Sequence, residues 1–347
     1  MTKTAMYHVL NTKIAAIRGK MLTETDYRRL LNMTSVQEIV SYLKGHTSYR
    51  KFLQTVKLDS GDRFALEKIL NEKLIALLTN LRKYVTGPYR DFLNCFQIRY
   101  EVAELKQIAK QIQQTGYASH YEKLVFLAKN PTISLEKIRS AKTIRELIEN
   151  LAGTFYFSFL KNLLKSEQIT LFHFEMTLDR AFFNILEENA LKLRKKDQQV
   201  FYRIYGTYFD MLNIQMIYRC KKFYHRSPEE IFNYSINQGN VFNYRHIKEL
   251  CYCEDLEQLK EKIATTPYSF MLKGDELQDI YMERRMHRYM YYRLQRALKS
   301  YANDISSLLA ILMLVDFEKR DLVSIIECVR YGLEQEKAEK YLIRELG

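Results

Sequence analysis

The chain holds 347 residues, with 54 lysines and arginines against 41 aspartates and glutamates, and carries a formal net charge of +13. A hydrophobic share of 47% excludes an intrinsically disordered chain, and 11 glycines with 4 prolines are too few for a hairpin-rich β fold. Five cysteines (Cys95, Cys220, Cys251, Cys253 and Cys328), an odd number at irregular spacing, exclude a disulfide framework and read as free, mostly buried thiols.

In chain order, residues 1–20 carry polar residues throughout and lack the apolar run of a secretory signal. Tyr27 and Leu30 lie on a first short amphipathic segment, followed by a helix-like run at 36–43 and the group Thr47, Tyr49, Phe52, Leu53. Over 62–84, Leu66, Ile69, Leu70, Leu74, Leu77, Leu78 and Leu81 recur in steps that make one stripe on a helix. Ser60, Gly61 and Asp62 form its predicted start, and Gly87-Pro88 its stop. Asp91 and Asn94 follow as an acid-x-x-polar pair opening an apolar helical run.

The order then repeats. Leu135 and Ile138, a helical run at 143–151, and Thr154, Tyr156, Phe159, Leu160 precede a stripe of Leu178, Phe182, Ile185, Leu186 and Leu193, and then Asp210 with Asn213. A third pass brings Tyr244 and Ile247, a run at 256–263, and Thr266, Tyr268, Met271, Leu272. Its stripe is Leu277, Ile280, Met286, Met290, Leu294 and Leu298, and Glu318 with Asp321 close it. The apolar stretch 305–315 is shorter than the ~20 residues a bilayer span needs, so any membrane association is expected to be peripheral.

The motif Thr-x-Tyr-x-x-(Phe/Met)-Leu therefore occurs three times, with its tyrosines 107 and 112 positions apart and its flanking parts in the same order. No stretch alternates with period two. These observations predict an all-α protein of three structurally similar helical domains, at about 1–118, 119–232 and 233–347. A pseudo-threefold arrangement of such units has a natural concavity at its centre.

Catalytic signatures are missing. There is no phosphate-cradling glycine loop, no nucleophile elbow and no H-E-x-x-H, and no two of the seven histidines lie within five residues. His173 and Glu175 have the H-x-E form without the P-C-x-x-C that a zinc deaminase needs, and Cys251 and Cys253 near His246 read as helix residues. No catalytic, cofactor-binding or metal-binding residue is predicted. The basic runs at 192–196, 219–226 and 283–296 suggest a surface matched to an acidic partner. A helical-repeat nucleic-acid binder is the alternative, although no reader motif is present.

The residues also carry a resemblance. Tyr7, Asn11, Ile14, Ile17, Arg18 and Leu22 resemble the opening helix of the C subunit of prokaryotic V/A-type ATPases, whose eukaryotic counterpart is the d subunit. Asp210, Asn213 and Ile214 through Arg219 and Lys221 resemble its internal helix. Ile305 and Leu308 through Glu318, Asp321, Ile325 and Ile326, then Tyr331-Gly332-Leu333, resemble its C-terminal signature, in which Asn usually stands where this chain has Asp321. The resemblance implies a funnel of three helical domains without an active site, peripheral at the cytoplasmic face of the membrane. It would link the rotor shaft, built of the D and F subunits, to the c/K-type membrane ring and transmit torque for ATP-coupled proton or sodium transport. On that reading Arg219, Lys221, Lys222, Arg284 and Arg288 are the expected partner contacts, and Tyr49, Tyr156, Tyr268 and the acid-x-x-polar pairs are structural.

Overall fold

A computed structural model describes residues 3–54, 63–118, 124–272, 279–300 and 302–346. All regular structure among them is helical. Ser60, Gly61, Asp62, Leu277 and the side chain of Ile280 lie outside the described residues.

The chain opens with α1 (Lys3–Arg18), α2 (Glu24–Leu31), α3 (Val36–His46) and α4 (Arg50–Leu53). The side chain of Thr23 accepts from the Asp26 amide and that of Ser35 from the Glu38 amide, so each short helix starts where a side chain satisfies an otherwise orphaned N–H. Next come α5 (Arg63–Arg82), α6 (Pro88–Thr115), α7 (Leu135–Ser140), α8 (Ile144–Asn150), α9 (Phe155–Leu160) and α10 (Leu171–Ala190). The leucine stripe of α5 is buried throughout, as its spacing predicts. Gly87 ends the connection at a positive φ (55°) that favours glycine, and Pro88 occupies the first turn of α6, where its missing N–H costs nothing.

The remainder comprises α11 (Lys195–Phe201), α12 (Thr207–Arg219), α13 (Pro228–Tyr234), α14 (Tyr244–Cys251), α15 (Leu256–Ala264), α16 (Asp279–Lys299), α17 (Ser306–Arg330) and α18 (Gln335–Lys340). A π-helical turn, Tyr202–Gly206, joins α11 to α12, and a second, Cys220–Tyr224, ends that run at His225, whose φ is 46°. Helix α17 is buried along almost its whole length and packs against α1, α3, α11 and α16. Among the described residues no helix is long and apolar enough to cross a membrane.

Two compact units result. One comprises 1–63 with 194–347, so the two ends of the chain share a core; the other is 64–193, in which α6 and α10 pack side by side. The five cysteines are free and buried, and Met271, Met282, Met286 and Met290 are core side chains.

Candidate functional site: three tyrosine–carboxylate cradles

Each of the three motif tyrosines is buried and donates its phenol to a buried carboxylate. Tyr268 donates to Asp210 at 2.6 Å, Tyr49 to Glu318 at 2.8 Å, and Tyr156 to Glu101. The tyrosine rings fill the core while the carboxylate receives the one polar atom they bring.

The cradles share a further layer. The carboxylate that takes the tyrosine is followed at i+3, one turn along the same helix face, by a second polar residue that binds backbone 21–23 positions downstream. On α17, Asp321 accepts from the Ile343 amide at 2.7 Å and the Arg344 amide at 3.3 Å. On α12, Asn213 accepts from the Ile236 amide at 2.9 Å and donates to the Ile236 carbonyl at 2.7 Å. On α6, Glu104 accepts from the amides of Val125, Phe126 and Leu127. One helix thus clamps two distant segments.

This geometry corrects two sequence alignments. Asp91 and Asn94 are exposed in the first turns of α6; the residues that take their expected part are Glu101 and Glu104, both buried. Glu101, Asp210 and Glu318 lie 109 and 108 positions apart, a more even period than Asp91 gives. Two of the three pairs do not open their helices: Glu101 and Glu104 sit in the middle of α6 and Glu318 and Asp321 in the middle of α17, whereas Asp210 lies in the first turn of α12. The second correction concerns Tyr27 and Tyr244. Thr23, Ser134 and Asn243 are the equivalent N-caps, which aligns buried Tyr27 with Ile138 and Ile247, while Tyr244 is exposed.

The surroundings of Asp210 show how closely a loop can be held. The amides of Asn240 (3.0 Å), Val241 (2.8 Å) and Phe242 (3.2 Å) all donate to it. A Cβ on Gly239 would stand 1.8 Å from the Asp210 carboxylate, and one on Gly206 would stand 2.8 Å from the Asn240 amide nitrogen. Only glycine permits this approach. Burial nonetheless pushes the Asp210 carboxyl up, against the lowering effect of Tyr268 and the three amides. Burial likewise raises Glu104 and carries Asp321 up to about 7, where nearby Glu318 adds to the rise. Tyr49, Tyr156 and Tyr268 are raised by the same burial and by the carboxylate each one faces. Hydrogen bonds to a charged acceptor contribute about 1.5–3 kcal/mol each, but desolvating a carboxylate costs several kcal/mol, so the cradles fix register more than they add net stability.

A fourth buried carboxylate that accepts a tyrosine phenol, not singled out by its sequence, serves the same end. Asp197 accepts from the Tyr7 phenol at 2.6 Å, the Ile305 amide at 3.0 Å and Arg194 at 2.9 Å, tying α1 and α11 to the start of α17. No periodicity marks it; only the fold brings Tyr7 within reach.

The predicted partner contacts are engaged within the chain. Arg284 is buried between the rings of Tyr281 and Tyr341, and that burial lowers its pKa. Arg288 binds the Leu342 carbonyl and Glu345. Lys221 donates to the Cys253 carbonyl, Lys222 binds the Tyr218 hydroxyl and covers the Phe223 ring, and Arg219 faces Glu283 at 3.8 Å. Among the described residues no three His, Cys, Asp or Glu side chains gather closely enough to hold a metal ion.

What these features define is a helical protein whose repeated chemistry joins one segment of chain to another. Comparison with known sequences agrees: residues 10–341 match the sequence model of the ATP synthase (C/AC39) subunit family, and the chain belongs to that family. Similar proteins include the C subunit of the A-type ATP synthase of Methanocaldococcus jannaschii, 22% identical over 98% of this chain and 86% of that protein. The same protein of Thermococcus onnurineus is 24% identical, over 97% and 90% of the two chains, and that of Methanosarcina mazei 23%, over 80% and 76%.

Proposed function

We propose that this chain is a non-catalytic central-stalk subunit of a rotary A/V-type ATPase. It acts as a socket that joins the D and F rotor shaft to the c/K-type membrane ring and passes torque between them for ATP-coupled proton or sodium transport. It lies peripherally, at the cytoplasmic face of the membrane. The observation that carries this reading is the threefold recurrence of the cradle. A coupling element must resist twisting, and each cradle pins two segments to a rigid helix through buried hydrogen bonds that cannot slide without stranding a carboxylate. Each cradle joins two of the sequence periods 1–118, 119–232 and 233–347: Tyr156 of the second meets Glu101 of the first, Tyr268 of the third meets Asp210 of the second, and Tyr49 of the first meets Glu318 of the third.

The test is reconstitution of the complex with and without this chain. With it, ATP hydrolysis drives ion uptake into vesicles, and the chain co-purifies with the shaft and the ring. Without it, the head still hydrolyses ATP while uptake is lost. Undiminished uptake in its absence would sink the reading.

A further inference from the structure

The +13 charge is not spread evenly. From Arg284 to Asn303 the chain contains no aspartate or glutamate, and from Lys195 to Gly206 it contains only Asp197. These two stretches meet in the fold. Arg293 on α16 donates to the Arg203 carbonyl at 3.2 Å, while Arg194 (3.1 Å) and Lys196 (3.4 Å) on the α11 side both reach the Asn303 carbonyl just past α16. Asp197 and Asp304 are withdrawn from the surface: Asp197 is held inside by Tyr7, Arg194 and Ile305, and Asp304 is buried beside Lys196 at 3.6 Å, while the exposed Glu345, from the end of the chain, is bound by Arg288 and the Tyr292 hydroxyl. The outcome is a face on which Lys195, Lys196, Arg203, Arg296 and Lys299 are exposed, Arg293 is half-buried, and no described residue of the two stretches is an exposed acid.

We propose that this face docks a carboxylate-rich surface of a partner protein. The proposal rests on the functional reading above for the kind of partner, but the face itself does not depend on it. Three features favour protein carboxylates. First, arginine presents a planar fork that binds a carboxylate with two parallel hydrogen bonds, and Arg203 and Arg296 are the arginines exposed on this face. Second, the described residues of the two stretches expose no Phe, Leu, Ile or Val that could enter a bilayer. Third, the one exposed aromatic ring among those described residues, Tyr292, has its hydroxyl bound to Glu345, leaving no run of rings there on which bases could stack. None of the five residues expected from sequence to meet a partner belongs to this face.

Three proteins are compared: the wild type; a face variant, Lys195→Glu with Arg203→Glu and Arg296→Glu; and a control, Arg245→Glu with Lys248→Glu and Lys337→Glu, which changes net charge equally at exposed positions outside the face. Binding is measured to a glutamate-rich peptide, to phosphatidylcholine–phosphatidylglycerol vesicles and to a single-stranded DNA oligonucleotide. The face variant should lose at least about tenfold in peptide affinity and the control no more than about threefold, as expected when close charge pairs rather than net charge carry the contact. Equal losses in the two variants would overturn the proposal, as would a larger loss toward vesicles or DNA than toward the peptide. Should the triple variant melt early, Arg203→Gln alone gives the same comparison. Capture of the purified shaft subunits by the wild type, run in parallel, separates the two ideas: shaft capture failing while the peptide result holds would remove the functional reading and leave the acidic-partner face standing.

Discussion

Tyr49 and Glu318 stand 269 positions apart in the chain, yet the phenol of one donates to the carboxylate of the other at 2.8 Å. The second oxygen of Glu318 accepts the Leu22 amide at 2.7 Å. One turn further along α17, Asp321 holds the amides of Ile343 and Arg344, and the Arg344 guanidinium returns to the Leu22 carbonyl at 3.0 Å. Both chain ends are thereby fastened to the middle of one helix, by the device that Asp210 and Glu101 use within shorter stretches.

Removing a single phenol should expose the cost of the arrangement. Tyr49→Phe, Tyr156→Phe and Tyr268→Phe each keep the ring and leave a buried carboxylate short of one donor. Each should lower unfolding free energy by about 1–3 kcal/mol, measured by urea titration. A control at exposed Tyr331→Phe should change nothing. Losses below the error of the titration in all three cradles would mean that the phenols do not support the carboxylates.

The Asp321 carboxyl, raised to about 7 by burial, gives a signed pH effect. In the unfolded chain it ionises near its ordinary value of 3.8, so between roughly pH 4 and 7 the folded state holds a proton that the unfolded state has lost. Stability from this group is full at low pH and falls as pH rises through that window, by up to about 1.4 kcal/mol per unit. Asn213 occupies the equivalent place on α12 with no charge to bury. Asp321→Asn should therefore flatten this part of the stability–pH curve and match or exceed the wild type at pH 8. A variant curve parallel to the wild type would rule the assignment out.

Two glycines should respond in opposite directions. Gly239→Ala places a methyl group 1.8 Å from the Asp210 carboxylate and 2.5 Å from the Phe242 carbonyl, so the loop must leave its cradle. A loss of more than about 2 kcal/mol is expected, in the range of a broken buried network. Gly45→Ala, within α3, meets nothing within 4 Å and should gain up to about 1 kcal/mol from helix propensity. Thermal melts of the two variants decide the matter.

Arg284 and Arg288 should behave as structural residues. Arg284→Ala empties a site between two tyrosine rings and should lower stability by about 1–2 kcal/mol while leaving partner binding unchanged in a pull-down. Arg288→Ala removes the hold on the Leu342 carbonyl and Glu345, and should speed amide hydrogen exchange over 341–346. Binding lost without any change in stability would return these residues to the interface.

Much of the fold was legible because it rests on local physics. The step of three and four among Leu66, Ile69, Leu70 and Leu74 specifies a helix and its buried face, since an α-helix places those positions on one side. Ser and Thr ahead of α3 and α8 mark their starts because a side-chain oxygen must meet an otherwise orphaned amide there. The three tyrosines were recognisable by recurrence alone.

Their partners were not legible. Asp91 and Glu101 both begin an acid-x-x-polar pattern on the same helix, and only burial separates them. Asp197 gives no sign in sequence of its bond to Tyr7, because that bond depends on where α1 comes to lie. Likewise, a run of cations reads the same whether it faces solvent or a ring, and the tertiary structure turned Arg284 inward while leaving Arg203 and Arg296 exposed on two stretches that present no exposed acid of their own. Sequence by itself determined the helices and the threefold period, which are set by contacts within a few residues. Tertiary structure decided which acid meets which tyrosine and which cations remain outside, because burial and charge pairing depend on segments that only folding brings together.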